Sequence, residues 1–319
     1  MLHPVVTLIA QRLALGILLL WAASVLIFVG TQILPGDVAQ SILGQSATPT
    51  SLANLRQELG LNEPALTRYL SWLGNALQGD LGVALTNKQD IAQAMSKRLG
   101  NTLFLAFCAA LISVPSAIIL GLIAVRYQGR WPDKLISGVT LATVSVPEFL
   151  LAYILTFFLA VKLRLLVSLS TIHDSMSLGD KLYAIALPVL VLVLVVLGHM
   201  MRMTRAAILN VMQSPYIETA ELKGLRPFWI IARHAFPNAI APVVNVVMLN
   251  MAYLIVGVVV VEVVFVYPGM GQYLVDHVSK RDVPVVQACG LVFAAIYIGL
   301  NLLADVISIL SNPRLRHPK

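Results

Sequence analysis

Residues 13–34, LALGILLLWAASVLIFVGTQIL, decide the class of fold to which this chain belongs. The run follows Arg12 and contains no charged side chain. Its length matches the about 20 apolar residues that a helix needs to cross the roughly 30 Å hydrocarbon core of a bilayer. It exceeds the about 7–15 apolar residues of a signal peptide, and no convincing small-residue cleavage site follows it. We therefore interpret the run as a retained transmembrane helix.

Five further apolar runs predict the rest of the fold. The chain is 58% apolar and only 12% charged, with a mean hydropathy of +0.85, whereas soluble domains are about a quarter charged. In lipid every backbone polar group has to be satisfied internally, which favours helices. We therefore expect an all-α integral membrane protein with six transmembrane helices. The five further runs cover residues 102–125, 135–163, 182–201, 239–266 and 283–310.

A polar stretch, residues 35–101, separates the first two runs and is too long to be a simple connection. We predict that it forms a small helical insert on the periplasmic side of the membrane. The expected organisation is an N-terminal tail and helix in 1–34, the insert in 35–101, and a core transmembrane domain in 102–319. Short amphipathic segments within the insert lie at 51–59, 65–77 and 91–99.

The distribution of positive charge predicts the orientation in the membrane. With the N-terminus inside, the cytoplasmic segments carry twelve Lys and Arg residues against three acids, Asp133, Glu218 and Glu221. The outer segments carry ten Lys and Arg residues against nine acids. The excess of cations on one side favours cytoplasmic N- and C-termini. It also accounts for the net charge of +7 without nucleic acid as a partner.

The sequence lacks the patterns that are typical of catalytic, metal and nucleotide sites. Cys108 and Cys289 lie in apolar runs, and the six histidines are dispersed without the spacing of metal ligands. No paired carboxylates, nucleophile-and-base set or Gly-x-x-x-x-Gly-Lys-Ser/Thr phosphate loop occurs. We therefore expect no catalytic residue, metal site or cofactor in this chain.

The loop between the fourth and fifth runs, residues 206–238, carries the most informative motif. It contains YIETAELKGLRP at 216–227, and RHAFPNA follows at 233–239. Residues 218–222 favour a short helix that Gly224 can end and that Pro227 cannot continue. Such a helix, lying parallel to the membrane, would let a neighbouring protein push on both attached transmembrane helices.

This loop resembles the EAA loop of bacterial ABC importer permeases. Glu218, Ala220 and Gly224 match its Glu-Ala-Ala-x-x-x-Gly core, with Thr219 in place of the middle alanine, and residues 233–239 resemble the peptide/nickel branch in particular. Further motifs similar to that branch follow in order along essentially the whole chain. They are LPGD at 34–37, LGLNEP at 59–64, RYLSWL at 68–73, GDLG at 79–82, RLGNT at 98–102, SVPEF at 145–149, EVVF at 262–265, PGMG at 268–271, NLLAD at 301–305 and PR at 313–314.

The resemblance implies a type I ABC importer permease in the bacterial inner membrane, where lipid surrounds it. It implies a second homologous permease that completes the pore and a periplasmic solute-binding protein that delivers the substrate. Cytoplasmic ABC ATPase subunits would bind ATP and Mg²⁺ and contact the loop at 216–239, so this chain itself is not expected to be an enzyme. The implied coupling residues are Glu218, Thr219, Ala220, Glu221, Gly224, Arg226, Pro227, Arg233 and His234.

Glu148 is an ionisable residue about thirteen positions into the third run. An ionisable group near the middle of the membrane is costly unless it faces a cavity or a partner. One interpretation places Glu148 on the substrate path together with Pro147 and Phe149. The alternative is a hydrogen bond that joins two packed helices.

Two other groups of polar residues also have open roles. Asn301 and Asp305 lie one turn apart and share a helix face. This spacing indicates either a structural hydrogen-bond network or a contact with the second permease. Arg202, Arg205 and Arg233 either set the orientation at the inner interface or contact acidic groups of the ATPase.

Three other classes of function compete with the importer permease. A secondary transporter driven by protons or sodium would show inverted repeats and more intramembrane acids. A membrane-bound enzyme would need a convergent catalytic set, and a receptor or assembly protein would use the insert for binding. The substrate also stays open among dipeptides, oligopeptides, nickel chelates, glutathione, opines and oligosaccharides.

Overall fold

A computed structural model describes residues 4–33, 38–58 and 60–311. These residues are mostly helical, and their only named β-structure is an isolated bridge between Val83 and Asp90. The motifs at 34–37 and 313–314, and Leu59, lie outside the described residues. The α-helices are α1 Pro4–Ile33, α2 Val38–Leu43, α3 Pro49–Glu58, α4 Ala65–Leu77, α5 Ile91–Arg126, α6 Trp131–Ser145, α7 Glu148–Leu155, α8 Leu178–Ala184, α9 Ala186–Met212, α10 Pro215–Leu222, α11 Pro227–Trp229, α12 Phe236–Val256, α13 Val259–Val264, α14 Met270–Ser279 and α15 Val283–Ser311.

Among the described residues, five segments are long and apolar enough to cross a membrane, and a bent pair of helices passes the same test of length and composition when taken together. The pair is α6 and α7 with its π-helical extension, bent by 104°. Val146 at the break is extended, with φ −93° and ψ 128°, because Pro147 disfavours a helical conformation in the residue before it. Counted as one span, the pair gives the predicted six and confirms the all-α membrane fold. The five segments are Val6–Ile33, Ile91–Arg126, Ala186–Met212, Pro227–Val264 and Val283–Ile307.

Helices α5 and α9 are longer than the apolar runs that predict them. Helix α5 begins at Ile91, where the Asp90 carboxylate caps it by accepting a hydrogen bond from the Gln93 N–H at 2.7 Å. Residues 91–99 therefore form the first turns of α5 and not a separate helix of the insert. Helix α9 continues to Met212, because the Arg, Met, Ala and Leu residues beyond the apolar run are also good helix formers.

Helix α9 is the centre of the core and packs against α5, α6 and α12. The close approach of these helices depends on small residues. A Cβ at Gly198 would lie 2.7 Å from the Thr140 carbonyl oxygen, and a Cβ at Gly121 would lie 3.0 Å from Thr204 Cγ2. Close packing of this kind holds transmembrane helices together, because burial from lipid gives little hydrophobic driving force.

Hydrogen bonds join described residues of the insert to the transmembrane helices. Tyr69 of α4 shares a hydrogen bond of 2.8 Å with Ser24 of α1. On the other side, the buried carboxylate of Asp282 accepts hydrogen bonds from the Leu85 and Thr86 N–H groups at 3.1 and 3.0 Å, and from the Thr86 hydroxyl at 2.8 Å. Asp282 directly precedes α15, so these bonds fix the end of the insert to the last transmembrane helix.

Polar contacts also join the first and last transmembrane helices. Gln287 Nε2 of α15 donates a buried hydrogen bond of 2.8 Å to Thr31 Oγ1 of α1. Asp305 forms an ion pair of 2.9 Å with Arg12 of α1, while Asn301 Nδ2 donates to the carbonyl of Tyr297 in its own helix. Asp305 therefore has a structural partner within the chain. A contact of Asn301 and Asp305 with a second permease stays a prediction.

Arg205 lies at the centre of a polar clamp between α9 and α6. Its Nε and Nη2 atoms donate to the two carboxylate oxygens of Asp133 at 2.8 Å each. Asp133 is 5% exposed and also accepts from the Gly129 N–H at 2.9 Å. A bidentate pair of this geometry is among the stronger polar contacts in proteins. The structure thus gives Arg205 a partner in its own chain, which neither interpretation from the sequence included.

Replacing Arg205 with Gln should destabilise the fold by about 1.5–3 kcal/mol, because it removes the charge-assisted hydrogen bonds to the buried Asp133 carboxylate. Arg202→Gln is the matched control, since Arg202 lies on the same helix with an exposed side chain. Thermal unfolding in detergent measures both. The double variant Arg205→Gln/Asp133→Asn should recover part of the loss. Equal melting temperatures of the two single variants would contradict the clamp.

Candidate functional site

The predicted cytoplasmic helix is present as α10, which ends in a regular helix stop. The Leu225 N–H donates to the Ala220 carbonyl at 3.3 Å, and the Gly224 N–H donates to the Glu221 carbonyl at 2.8 Å. These two bonds define a Schellman motif, which places Gly224 in the left-handed region at φ +74°. Pro227 then begins α11, so the chain turns away instead of continuing α10.

One face of α10 anchors it to the transmembrane helices. Ile217 and Ala220 are buried in a cluster with Ile208 of α9 and Ile230 and Ile231 of the π-helical turn before α12. Because α10 connects α9 to α12 and packs against both ends, a displacement of α10 is transmitted to two core helices at once. A π-helical turn is uncommon and often marks a functional position.

The opposite face of α10 is open. Leu222 of α10 is 83% exposed, and Phe228 of the following α11 is 62% exposed. Arg233 lies over the ring of Trp229, with 5.7 Å between its guanidinium carbon and the ring centroid. His234 is partly buried, and its carbonyl accepts a hydrogen bond of 2.7 Å from Asn238 Nδ2. The other predicted coupling residues with exposed side chains are Glu218, Thr219, Glu221, Arg226 and Pro227.

Glu148 begins α7, directly after the break in the third span. Its Oε2 atom accepts a hydrogen bond of 2.9 Å from the Tyr253 hydroxyl of α12, and the Glu148 side chain is partly buried. Pro147 and Phe149 on either side are exposed. The structure therefore gives Glu148 a helix-to-helix hydrogen bond and also places it on an open face. The two interpretations from the sequence are compatible.

Glu262 is a buried carboxylate whose role the sequence did not indicate. It is 0% exposed, and its Oε1 atom accepts a hydrogen bond of 2.6 Å from the Thr102 hydroxyl. Its Oε2 atom accepts from the N–H groups of Gly271 and Gln272 at 2.7 and 3.2 Å, at the start of α14. Thr102 in turn accepts from the Met270 N–H at 2.8 Å. The sequence does contain a signal for such a network, since Glu262 lies inside the apolar run VVVEVVF. An acid in such a run has to be paired or hydrogen-bonded.

The motifs at 98–102, 262–265 and 268–271 meet at this carboxylate. Asn101 Nδ2 donates to the Pro268 carbonyl at 2.8 Å, and the Tyr267 hydroxyl donates to the Asn101 carbonyl at 2.7 Å. Burial, with the nearby Glu262 carboxylate, raises the pKa of Tyr267, so this phenol remains a neutral donor. A Cβ at Gly269 would overlap the Glu262 carboxylate, which explains a glycine there. We call this set of contacts the Glu262 network.

No described residues form a group of three or more His, Cys, Asp or Glu side chains that could hold a metal ion. What the described residues do provide is a bundle of long apolar helices with a short exposed helix, α10, that joins two core spans. This arrangement defines the class: a multi-pass helical membrane protein.

Comparison with known proteins agrees with this class. Residues 114–317 match the family described as binding-protein-dependent transport system inner membrane component, and residues 5–106 match the N-terminal domain of the same components. The chain belongs to this family and is a multi-pass protein of the inner membrane. Membership implies an ATPase and a solute-binding protein as partners.

Two relatives and one solved structure illustrate the similarity. A Brucella abortus (strain 2308) protein named as a peptide transport system permease is 35% identical over 310 residues, which cover 97% of this chain and 99% of the relative. The glutathione transport system permease protein GsiC of Escherichia coli (strain K12) is 34% identical over 298 residues, covering 93% and 95%. A chain of the MetNI methionine ABC transporter in an inward-facing form shares the fold, with a TM-score of 0.50, 16% identity, and coverage of 70% of this chain and 96% of that chain.

Proposed function

We propose that this chain forms one half of the translocation pore of an ATP-driven importer for peptides or related small solutes. A second, homologous permease subunit forms the other half within the lipid bilayer. ATP and Mg²⁺ are bound by cytoplasmic ATPase subunits, so ATP hydrolysis takes place outside this chain. Both termini and α10 lie on the cytoplasmic side, as the distribution of Lys and Arg predicts.

The geometry of α10 is the observation that carries the proposal. Ile217 and Ala220 hold the helix to the ends of α9 and α12, while Leu222, Glu218 and Glu221 face outward. A partner that closes on the open face moves the helix as a rigid unit, because the Schellman turn at Gly224 fixes its end. The movement reaches α9 and α12, whose packing controls access through the bundle.

The names of the relatives support a substrate class. The proteins of Brucella abortus and Escherichia coli are named as permeases for peptides and for glutathione, which is itself a small peptide. Both cover almost the whole chain. A peptide-like solute with a free amino group is therefore the substrate class that we propose.

Reconstitution tests this function. The chain is co-expressed with the gene products encoded beside it, purified in nanodiscs, and assayed for ATP hydrolysis with and without the solute-binding protein and its ligand. We expect co-purification of the ATPase and a clear rise in hydrolysis with the loaded binding protein. A chain that purifies alone and moves solute without ATP would contradict the proposal and return attention to an ion-driven mechanism.

A further inference from the structure

The open face between α9 and α12 contains a cavity with an unusual set of polar side chains. It has a volume of about 220 Å³ and is lined by Val195, Val196, His199, Leu249, Asn250 and Tyr253. The Tyr253 hydroxyl donates to Glu148 Oε2 at 2.9 Å, so this carboxylate lies at the edge of the same cavity. The cavity wall is mostly apolar and includes a phenol, an imidazole and a carboxamide, whose Nδ2 donates to the Val246 carbonyl at 2.8 Å. The Glu148 carboxylate is one hydrogen bond away from this wall.

Glu148 and Tyr253 lie near the middle of their apolar runs, residues 135–163 and 239–266. His199 lies closer to the end of its run, three residues before Arg202. Glu148 follows the break that interrupts the third span. Ionisable side chains at this depth avoid lipid and face water-filled or protein-filled space. The cavity therefore borders the path through the bundle or another protein subunit.

We propose that this cavity is a substrate station on the translocation path, at which Glu148 receives the positively charged amino group of the solute. The inference rests on the proposed function and specifies which chemical group of the substrate the pore recognises. We call Glu148, Tyr253, His199 and Asn250 the amine station.

The chemistry of Glu148 favours an ammonium group. An ionised carboxylate only accepts hydrogen bonds and has about four lone-pair positions, of which Tyr253 occupies one. Among the described residues Glu148 is bonded to the neutral Tyr253 phenol and forms no ion pair, so the charge of its carboxylate is available to a ligand. A primary ammonium offers three donors, and its hydrogen bonds to a carboxylate are charge-assisted and short. An anionic group would be repelled from the same position.

The size and openness of the cavity suit a site that binds the solute transiently during translocation. Its volume of about 220 Å³ is below the about 300–1,000 Å³ of sites that enclose a small molecule. Tyr253 is 40% exposed and Leu249 is 45% exposed, so one side of the station is open. A second permease would supply the opposite wall. Because a conducting site has to release its solute, a half-enclosed station is more suitable than a closed pocket.

The test uses the complete transporter in proteoliposomes that contain ATP, with a tryptic digest of casein as the probe. Uptake of individual peptides is measured by mass spectrometry, and stimulated ATP hydrolysis is measured in the same vesicles. We expect Glu148→Gln to lower peptide uptake about tenfold, because the charge-assisted contact is lost. Glu148→Asp should retain much of the uptake, and Tyr253→Phe should give an intermediate loss.

The control variant is Glu63→Gln, which makes the same chemical change at an exposed acid of the insert and should leave uptake unchanged. The same digest after acetylation of its amino groups is the second probe, and Glu148→Gln should not lower its uptake. In all variants assembly and stimulated ATP hydrolysis should stay within about twofold of the wild type, since α10 is intact.

Wild-type uptake of the digest in Glu148→Gln would overturn the inference and leave the proposed function standing. Loss of assembly in Glu148→Gln would also overturn it, because it would assign the cavity to contact with the second permease. A wild-type transporter that hydrolyses ATP but accumulates neither digest would overturn the peptide substrate and the inference together.

Discussion

Replacing Gly224 with Val should weaken the coupling between the ATPase subunits and the transmembrane helices. Gly224 has φ +74°, and a side chain in this conformation costs about 1–2 kcal/mol, with β-branched residues among the worst. The Schellman turn therefore opens, and the end of α10 that carries Leu222 and Lys223 loses its fixed position. We expect stimulated ATP hydrolysis and uptake to fall about tenfold, since each 1.36 kcal/mol of lost coupling corresponds to a factor of ten.

Gly129→Val is the matched control for this prediction. Gly129 has φ +75° and, like Gly224, no atom within 4 Å of the position of an added Cβ. It lies in the turn between α5 and α6, on the side of the membrane where α10 is predicted. The two variants therefore carry the same backbone cost at different places. Equal loss of activity in both would mean that strain alone, and not the position of α10, determines coupling.

Replacing Glu262 with Ala should destabilise the protein more than any change at an exposed acid. It removes the acceptor of the Gly271 and Gln272 N–H groups and of the Thr102 hydroxyl, all in a buried setting. Each buried donor without a partner costs about 1–3 kcal/mol, so we expect a loss of about 3–5 kcal/mol in the free energy of unfolding. The melting temperature in detergent should fall by on the order of 10 °C.

Two further variants show whether lost hydrogen bonds cause the destabilisation of Glu262→Ala. Glu262→Gln keeps the shape and one acceptor oxygen, so its loss should be clearly smaller than that of Glu262→Ala. Gly269→Ala leaves every hydrogen-bonding group in place but forces its Cβ into the carboxylate, and it should destabilise as strongly as Glu262→Ala. A melting temperature of Glu262→Ala within about 2 °C of the wild type would contradict the network.

The backbone at Val266, beside the Glu262 network, has an unfavourable conformation. This β-branched residue has φ +51°, a conformation that is rare for such side chains and costs about 1–3 kcal/mol. It is held there by two bonds, from the Val266 N–H to the Val263 carbonyl at 3.3 Å and from the Tyr267 N–H to the Glu262 carbonyl at 2.8 Å. The surrounding contacts therefore determine a turn that the local sequence does not favour.

The sequence predicts the number and approximate position of the spans because lipid allows few alternatives. A run such as residues 13–34 can only cross as a helix, and the structure places α1 at Pro4–Ile33. The stop of α10 at Gly224 was equally predictable, because glycine is the residue that adopts this conformation without cost. Both are local features that follow from short stretches of sequence.

Contacts between distant residues were not predictable in the same way. The Glu262 network joins Thr102 to a residue 160 positions further on, and Arg205 is bonded to Asp133 across 72 positions. In a soluble protein, hydrophobic periodicity shows which face of a helix is buried. In a membrane, residues that face lipid and residues that face another helix are both mostly apolar. Periodicity therefore does not show which helices pack together or which polar residues meet.

The break in the third span was only partly predictable from the sequence. The sequence contains its cause, Pro147, but prolines also occur inside continuous helices of this chain, such as Pro115 in α5. Neighbouring groups in a bundle can satisfy the carbonyl that a proline leaves free, so a proline alone does not predict a break. The consequence, a carboxylate at Glu148 beside Tyr253 of another helix, becomes visible only in the folded chain.

The central claim is that α10 contacts the ATPase subunit, and photo-crosslinking from α10 tests it most directly. A photoreactive residue, p-benzoylphenylalanine, is placed at Leu222 of α10 or at Leu77 of α4, which are 83% and 81% exposed at the ends of two short helices. Both variants are expressed with the complete transporter and irradiated in membrane vesicles. We expect position 222 to crosslink to the ATPase subunit and position 77 not to. Crosslinking of the ATPase from position 77 and not from position 222 would contradict the claim.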